Sequence, residues 1–117
     1  MKVFSCAEDY LRHHRPERPV LAFRPHAATR ATKWFLDNFP GRVLYATKAN
    51  DSQPILDAVA AAGIRGFDVA SLAEIERVKS IEGAELYYMN PIKSRGAIAR
   101  AYYEFGARCF AFDSHDE

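Results

Sequence analysis

Lys48 is the side chain of this sequence with the clearest capacity for chemistry. It closes an apolar run, residues 42–48, whose composition is typical of a buried β-strand. A lysine on a packed, partly dry strand can lose its proton, and the free amine can then form an imine with a carbonyl compound. A lysine at a strand end is nevertheless more often an ordinary surface residue, so this pattern alone leaves both interpretations open.

Ala46 and Asp68 are the two residues expected beside that amine. Because side chains alternate along a strand, Ala46 and Lys48 should share one face, and Tyr45 and Thr47 the other. The small Ala46 leaves room beside the lysine. Asp68 lies on the next predicted strand, at the level of Lys48 and roughly 5 Å away by strand spacing. It is a candidate partner for the ammonium, although a bond from its carboxylate to a backbone amide explains it equally well.

Composition and charge exclude several other classes of function. The 117 residues carry a net charge of +1, which does not favour binding to nucleic acid or to an anionic membrane. No apolar run reaches about 18 residues and the first residues do not form a secretory signal, so neither a membrane span nor export is predicted. Cys6 and Cys109 form no CxxC pair and the histidines have no ligand spacing. We therefore expect buried or free thiols, a reducing cytoplasm and no metal site.

The chain alternates predicted strands with predicted helices roughly every 20 residues. The predicted strands are residues 19–24, 42–48, 66–69, 85–89 and 109–112. The predicted helices are residues 5–14, 27–38, 52–62, 71–80 and 94–105, and a further helix should begin at Ser114. Ser5 and Ser52 are candidate N-caps, Ser71 and Glu74 form a capping box, and Gly63 supplies a C-terminal stop. This alternation predicts an α/β fold with a parallel sheet.

Two architectures can hold such a sheet. An open doubly wound sheet usually has a glycine-rich first turn, and the sequence contains no GxGxxG or GxxxxGK[ST]. A (β/α)8 TIM barrel instead places polar functional groups just after its strands, which is where Lys48, Asp68, Asn90 and Asp113 fall. We therefore favour a partial barrel. Since eight units need about 250 residues, the chain is expected to be a piece of a longer protein or to complete the barrel by association. Residues 41–117 would be the first half of a barrel, and residues 1–40 a preceding helix, strand and helix.

Four segments resemble one family of enzymes. Residues 45–51, YATKAND, resemble the Tyr-Ala-Val-Lys-(Ala/Cys)-Asn segment of the fold-type III, alanine-racemase-like pyridoxal-phosphate enzymes. Residues 67–75, FDVASLAEI, are similar to the Phe-Asp-x-Ala-Ser-x-x-Glu-(Ile/Leu) segment of the ornithine decarboxylase branch. Asn-Pro-Ile-Lys at 90–93 and Phe-Asp-Ser at 112–114 resemble two further segments of that branch, in the same order. Thr47 stands where the family often has valine.

The resemblance implies roles for individual residues. Lys48 would hold pyridoxal 5′-phosphate as a Schiff base, with Ala46 beside the cofactor. Asp68 and Glu74 would pair with the lysine amine once substrate displaces it. Residues 19–24 would belong to a small accessory sheet domain. Asn90 and Lys93 are interpreted as loop structure after a strand, and Asp113 with Ser114 as a helix cap.

The implied function is decarboxylation of a basic amino acid, with ornithine to putrescine, a step of polyamine biosynthesis, as the first expectation. A diaminopimelate or lysine decarboxylase, a racemase and a non-catalytic pyridoxal-phosphate-binding homologue are the alternatives. The family's sites are shared between subunits, so a cytoplasmic homodimer is expected. Other parts of the site, such as the phosphate-binding loop, lie further along in the family, so these residues alone are predicted to be inactive.

Overall fold

The computed structural model of the protein describes residues 3–116. Its helices are α1 (Ala7–His13), α2 (Pro25–Asn38), α3 (Gln53–Ala61), α4 (Leu72–Val78) and α5 (Arg95–Tyr103). Its strands are β1 (Leu44–Ala46), β2 (Gly66–Val69), β3 (Glu85–Tyr88) and β4 (Cys109–Phe110). The predicted alternation of strands and helices is confirmed from residue 42 onward.

The strands form one parallel sheet in the order β1-β2-β3-β4, so each strand pairs with its neighbour in the chain. Crossovers between parallel strands are right-handed, and an order without reversal therefore places every crossover helix on the same face of the sheet. A doubly wound sheet would reverse direction and cover both faces. The observed order is that of consecutive units of a (β/α)8 barrel, as predicted.

Side-chain alternation gives the sheet two different faces. The helix-covered face carries Phe67, Val69 and Tyr88, which are buried in the core. The opposite face, which we call the open face, carries side chains that are half-buried or exposed. These are Ala46, Asp68, Tyr87 and Cys109, which the strand register aligns in one row across the sheet.

The core lies between the helix-covered face and helices α3 to α5. Leu56 of α3 and Ile75 and Val78 of α4 are completely buried against Phe67. Full burial of an aliphatic or aromatic side chain contributes about 1.5–3 kcal/mol. The packing of these few residues therefore holds the parallel strands in place.

Helices α3 and α5 end in the same way, just before the strands that follow them. The chain turns at Gly63 and Gly106, whose φ angles of 118° and 74° lie in the left-handed region that glycine adopts without strain. Two residues further on, Arg65 donates to the carbonyl oxygens of Ala60 and Ile64, and Arg108 to those of Tyr102 and Ala107. Each arginine thus bonds one carbonyl oxygen in the last turn of its helix and one in the residue just after the glycine. The predicted stop at Gly63 is confirmed.

The N-terminal segment departs from the predictions. Helix α1 begins at Ala7 with Cys6 as its cap residue, while Ser5 bonds to the Asp9 carboxylate, so the predicted Ser5 cap is wrong. Residues 19–24 form no strand: within residues 3–116 nothing pairs with them, and Leu21 is 82% exposed. A strand needs a ladder partner for its backbone groups, and an apolar composition alone does not supply one. Their place in an accessory sheet domain stays a prediction.

Three strands also end earlier than predicted, β3 by the single residue Met89. β1 stops at Ala46 and β4 at Phe110, so Lys48 and Phe112 lie beyond their strands. The predicted helix start at Ser114 is followed by a turn at residues 115–116, and Glu117 lies outside the described residues.

Candidate functional site

Lys48 lies at the carboxyl edge of the sheet, the edge where all four parallel strands end. It is the middle residue of a 3₁₀ turn, Thr47–Ala49, that directly follows β1. Thr47 is completely buried, whereas Lys48 is exposed. The amine is therefore not enclosed between the sheet and its helices, and it is accessible from the carboxyl edge.

Ala46 and Asp68 lie side by side on neighbouring strands, at a level two residues before Lys48. The register pairs Ala46 with Asp68, and both side chains lie on the open face. The prediction that Asp68 lies level with Lys48 is wrong by two residues, or about 6–7 Å along the strand, because the register pairs Asp68 with Ala46. Among residues 3–116 no ion pair joins the side chains of Asp68 and Lys48, and their assignment to one site stays a prediction.

Glu74 has a structural partner already. Its Oε2 accepts a hydrogen bond of 2.8 Å from the amide of Ala70, and the Ser71 hydroxyl accepts one of 3.2 Å from the Glu74 amide. These are the two halves of the predicted capping box, with the carboxylate reaching one residue beyond the cap. The bonds hold the loop from β2 to α4 at the carboxyl edge. A pairing of Glu74 with the lysine amine stays a prediction.

The loop that carries Lys48 is fixed by contacts that sequence reasoning missed. The Tyr45 hydroxyl donates to the Asn50 carbonyl oxygen at 2.9 Å, and Asn50 Oδ1 accepts from the Ser52 amide at 3.0 Å. Asp51 forms an ion pair with Arg77 of α4 at 3.0 Å. Burial, followed by the negative charge of Asp51, raises the pKa of Tyr45 above its ordinary value. Tyr45 therefore stays protonated and keeps its donor.

Lys93 is the second lysine at the carboxyl edge. Its Nζ donates to the carbonyl oxygens of Asn90 (2.8 Å), Pro91 (2.7 Å) and Ala111 (2.6 Å), and it lies 5.8 Å from the centre of the Tyr88 ring. Asn90 Nδ2 donates to the Ile92 carbonyl oxygen, which closes the same loop. The interpretation of Asn90 and Lys93 as loop structure is therefore confirmed, and the link to β4 is new.

Tyr88 connects this loop to Glu74. Burial, followed by the negative charge of Glu74, raises the pKa of the Tyr88 phenol. Its ring is buried on the helix-covered face beneath the ammonium of Lys93. The residue belongs to the support of the carboxyl edge rather than to its accessible surface.

The donor set fits a cofactor that carries an aldehyde. An accessible primary amine lies at the carboxyl edge. The small Ala46 lies two residues before it and is paired in register with a carboxylate, Asp68. Within residues 3–116 no three His, Cys, Asp or Glu side chains come together as metal ligands would. Both cysteines are free and exposed. No helix in the described part of the chain is long and apolar enough to span a membrane.

Comparison with known proteins places these features in one family. Residues 26–117 match the family described as pyridoxal-dependent decarboxylase, pyridoxal binding domain. Over 74 residues the chain is 46% identical to an ornithine decarboxylase of Panagrellus redivivus, covering 62% of this chain and 17% of the relative. It is 40% identical over 78 residues to a lysine/ornithine decarboxylase of Selenomonas ruminantium, covering 64% of this chain and 19% of that protein. It is 36% identical over 84 residues to a diaminopimelate decarboxylase of Pseudomonas fluorescens, covering 70% and 20%.

Solved structures match the fold almost throughout the chain. SrLDC in complex with PLP and cadaverine aligns with a TM-score of 0.76 and 28% identity, over 99% of this chain and 31% of its own. A lysine decarboxylase from Selenomonas ruminantium aligns over the same shares with a TM-score of 0.79, and its 23% identity supports the fold alone. The chain spans about a fifth of the length of the curated relatives it matches.

Proposed function

The chain belongs to the pyridoxal-dependent decarboxylases, and we propose that the protein containing it decarboxylates a basic amino acid, ornithine first of all. The matched domain is the one that binds pyridoxal 5′-phosphate in this family. The observation that carries the proposal is the position of Lys48: an accessible amine at the carboxyl edge, on a loop fixed from both sides.

Lys48 would bind the cofactor covalently through its Nζ. When bound, pyridoxal 5′-phosphate supplies an aldehyde for the amine and a ring that takes up the electron pair left by departing carbon dioxide. The Tyr45–Asn50 and Asp51–Arg77 contacts keep the lysine loop in one conformation, so the amine is presented without a search among loop conformers.

Asp68 would receive the lysine ammonium once the substrate amine has displaced it. Its carboxylate lies on the open face, one step below Lys48, within reach of a flexible four-carbon side chain. The small side chain of Ala46, which pairs with Asp68, would leave room between the Asp68 carboxylate and the Lys48 amine. Glu74 would add negative charge from the first turn of α4 while its Oε2 stays bonded to the Ala70 amide.

The relatives support ornithine as the substrate but do not separate it from lysine or diaminopimelate. Identity is 46% with an ornithine decarboxylase, 40% with a lysine/ornithine decarboxylase and 36% with a diaminopimelate decarboxylase. The diaminopimelate match spans more of the chain, which makes that reaction the second candidate. A homodimer, a cytoplasmic location and a role in polyamine biosynthesis are further parts of the proposal, supported by the resemblance alone.

The test uses the complete protein and two lysine variants. Wild type should develop the visible absorbance of a lysine-bound cofactor and release putrescine from ornithine faster than it converts lysine or diaminopimelate. Lys48→Ala should lose both signals, whereas Lys33→Ala, an exposed lysine of α2, should keep them. Absorbance without any decarboxylated product would leave only a cofactor-binding protein. Unchanged absorbance in Lys48→Ala would refute the assignment of the lysine.

Asp68→Asn sharpens the assignment of the carboxylate. The amide cannot hold an ammonium by charge, so turnover should fall by about ten- to hundredfold, because a hydrogen bond to a charged group contributes about 1.5–3 kcal/mol. Cofactor capture by Lys48 should remain. Equal turnover in wild type and Asp68→Asn would show that the carboxylate has no part in the reaction.

A further inference from the structure

The carboxyl end of β4 is the most weakly paired part of the sheet. β4 shares two residue pairs with β3, whereas β2 shares four with β3 and three with β1. One backbone bond continues the pairing beyond the strand, from the Ala111 amide to the Tyr88 carbonyl oxygen at 3.1 Å. A short edge strand with so few ladder bonds opens locally at low free-energy cost.

Lys93 adds a charged donor at that end. One ammonium collects carbonyl oxygens from the loop after β3, those of Asn90 and Pro91, and from Ala111 after β4, all within 2.6–2.8 Å. Hydrogen bonds from a charged donor are about twice as strong as those between neutral groups. Ala111 is thereby bonded through both its amide and its carbonyl group, and the two strand ends are tied to each other by one side chain.

The tied residue belongs to the wall of the site. By alternation Ala111 follows Cys109 on the open face, in the same direction as Tyr87 and Asp68. A shift of the end of β4 would therefore move the β4 side of the open face, which β2 and β3 separate from Lys48. The bond from Lys93 to the Ala111 carbonyl oxygen can therefore affect the shape of the open face by fixing the backbone of β4.

We propose that Lys93 is a positioning residue for the decarboxylation reaction: its ammonium locks the ends of β3 and β4 together and so sets the wall of the cofactor site opposite Lys48. This inference rests on the proposed function. It assigns a role to the Asn-Pro-Ile-Lys segment, in which the proline and asparagine carbonyl groups are acceptors and the lysine closes the loop on itself and on β4.

The first readout is amide hydrogen exchange in the complete, cofactor-free protein. Lys93→Met keeps the aliphatic length and removes the ammonium, so exchange in residues 109–112 should accelerate roughly ten- to hundredfold, as expected for lost charge-assisted bonds. Exchange in β2 should not change. The control Lys33→Met, exposed on α2, should leave both regions as in wild type.

The second readout is the dissociation constant of pyridoxal 5′-phosphate from an absorbance titration, with kcat and KM measured below the unfolding temperature. Lys93→Met should raise the dissociation constant several-fold and lower kcat, while Lys48 should still form the covalent bond to the cofactor. If Lys93→Met does not fold, Lys93→Arg serves instead. Its planar guanidinium keeps the charge but cannot direct donors toward three carbonyl groups around one atom, so it should show the same changes in smaller measure.

Two results would overturn the inference. Unchanged exchange in residues 109–112 would show that Lys93 does not hold β4. Faster exchange with wild-type cofactor affinity and kcat would make the contact structural only. If wild type itself captured no cofactor, the proposed function would fail, and the exchange comparison would still decide whether Lys93 holds the strand ends together.

Discussion

The helix-covered face and the open face of this sheet are built from alternate residues of the same four strands, yet they differ in almost every property. Phe67 and Val69 are completely buried on one face, whereas Asp68, between them in sequence, remains half-buried on the other. The first face is apolar and packed by helices, and the second carries a carboxylate, a thiol and a phenol in one row. Stability and chemistry are thus assigned to opposite sides of each strand, and single substitutions can separate them.

The largest effect is expected on the helix-covered face. Phe67→Ala should lower the free energy of unfolding by about 3–5 kcal/mol, because it leaves a cavity where Leu56 and Ile75 pack against the ring. Denaturant unfolding of the complete protein measures it. Tyr103→Ala, which removes an aromatic ring that is 82% exposed, is the matched control and should change stability by about 0.5 kcal/mol or less. Similar losses in both variants would break the contrast between buried and exposed positions.

The capping box at the carboxyl edge should contribute less. Ser71→Ala removes the acceptor for the Glu74 amide and should cost about 1 kcal/mol of stability. Ser94 caps α5 by the same bond to the Ala97 amide and provides a matched variant, Ser94→Ala. If Ser71→Ala also lowered cofactor affinity and Ser94→Ala did not, the β2–α4 loop would be part of the site. Equal cofactor affinity in Ser71→Ala and Ser94→Ala would show that the Ser71 cap contributes to stability only.

Tyr45 links the core to the lysine loop and gives that loop a pH dependence. Its folded pKa is raised above the ordinary value of about 10. The stability that comes from this group is therefore complete below pH about 10 and is lost as pH rises through the folded pKa. Tyr45→Phe should cost about 1 kcal/mol near neutral pH, through the lost bond to Asn50. It should also reduce the loss of stability above pH 10.

Unfolding midpoints of wild type and Tyr45→Phe across alkaline pH test this prediction. Tyr88, whose pKa burial also raises, contributes in the same direction and remains in both proteins. The difference between the two curves therefore reports Tyr45. Parallel curves would show that the hydroxyl does not control the loop.

Thr47 is the polar exception on the buried side of the lysine loop. It is completely buried and, in the described part of the chain, its hydroxyl has no hydrogen-bond partner. A buried hydroxyl without a partner costs free energy, so Thr47→Val, of equal shape, should raise stability by up to about 1 kcal/mol. Thermal unfolding measures this smallest effect. A loss of stability, or weaker cofactor capture by Lys48, would reveal a partner for the hydroxyl in the complete protein.

Local signals in the sequence were sufficient for much of the fold. The Ser71–Glu74 box and the turn at Gly63 each act over a few residues, so a single sequence reveals them. The strand at residues 19–24 was wrong because strand formation depends on a distant partner. The predicted end of β1 was wrong because the residue types of the 3₁₀ turn, Thr47–Ala49, are equally compatible with a continued strand.

The candidate site was predicted in part. Lys48, Ala46, Asp68 and Glu74 all lie at or next to the carboxyl edge, since parallel strands end together. The bond from Lys93 to Ala111 spans 18 residues, and no local pattern indicates which carbonyl group a lysine will reach. The same holds for the Asp51–Arg77 pair, which depends on how α4 packs beside the lysine loop.

Reductive trapping of the cofactor shows whether Lys48 is the lysine that binds it. The complete protein is incubated with pyridoxal 5′-phosphate, reduced with borohydride, digested and mapped by mass spectrometry. We expect a phosphopyridoxyl group on Lys48, with Lys93 and Lys33 unmodified. A stable label on another lysine, or no label in a folded protein saturated with cofactor, would contradict it.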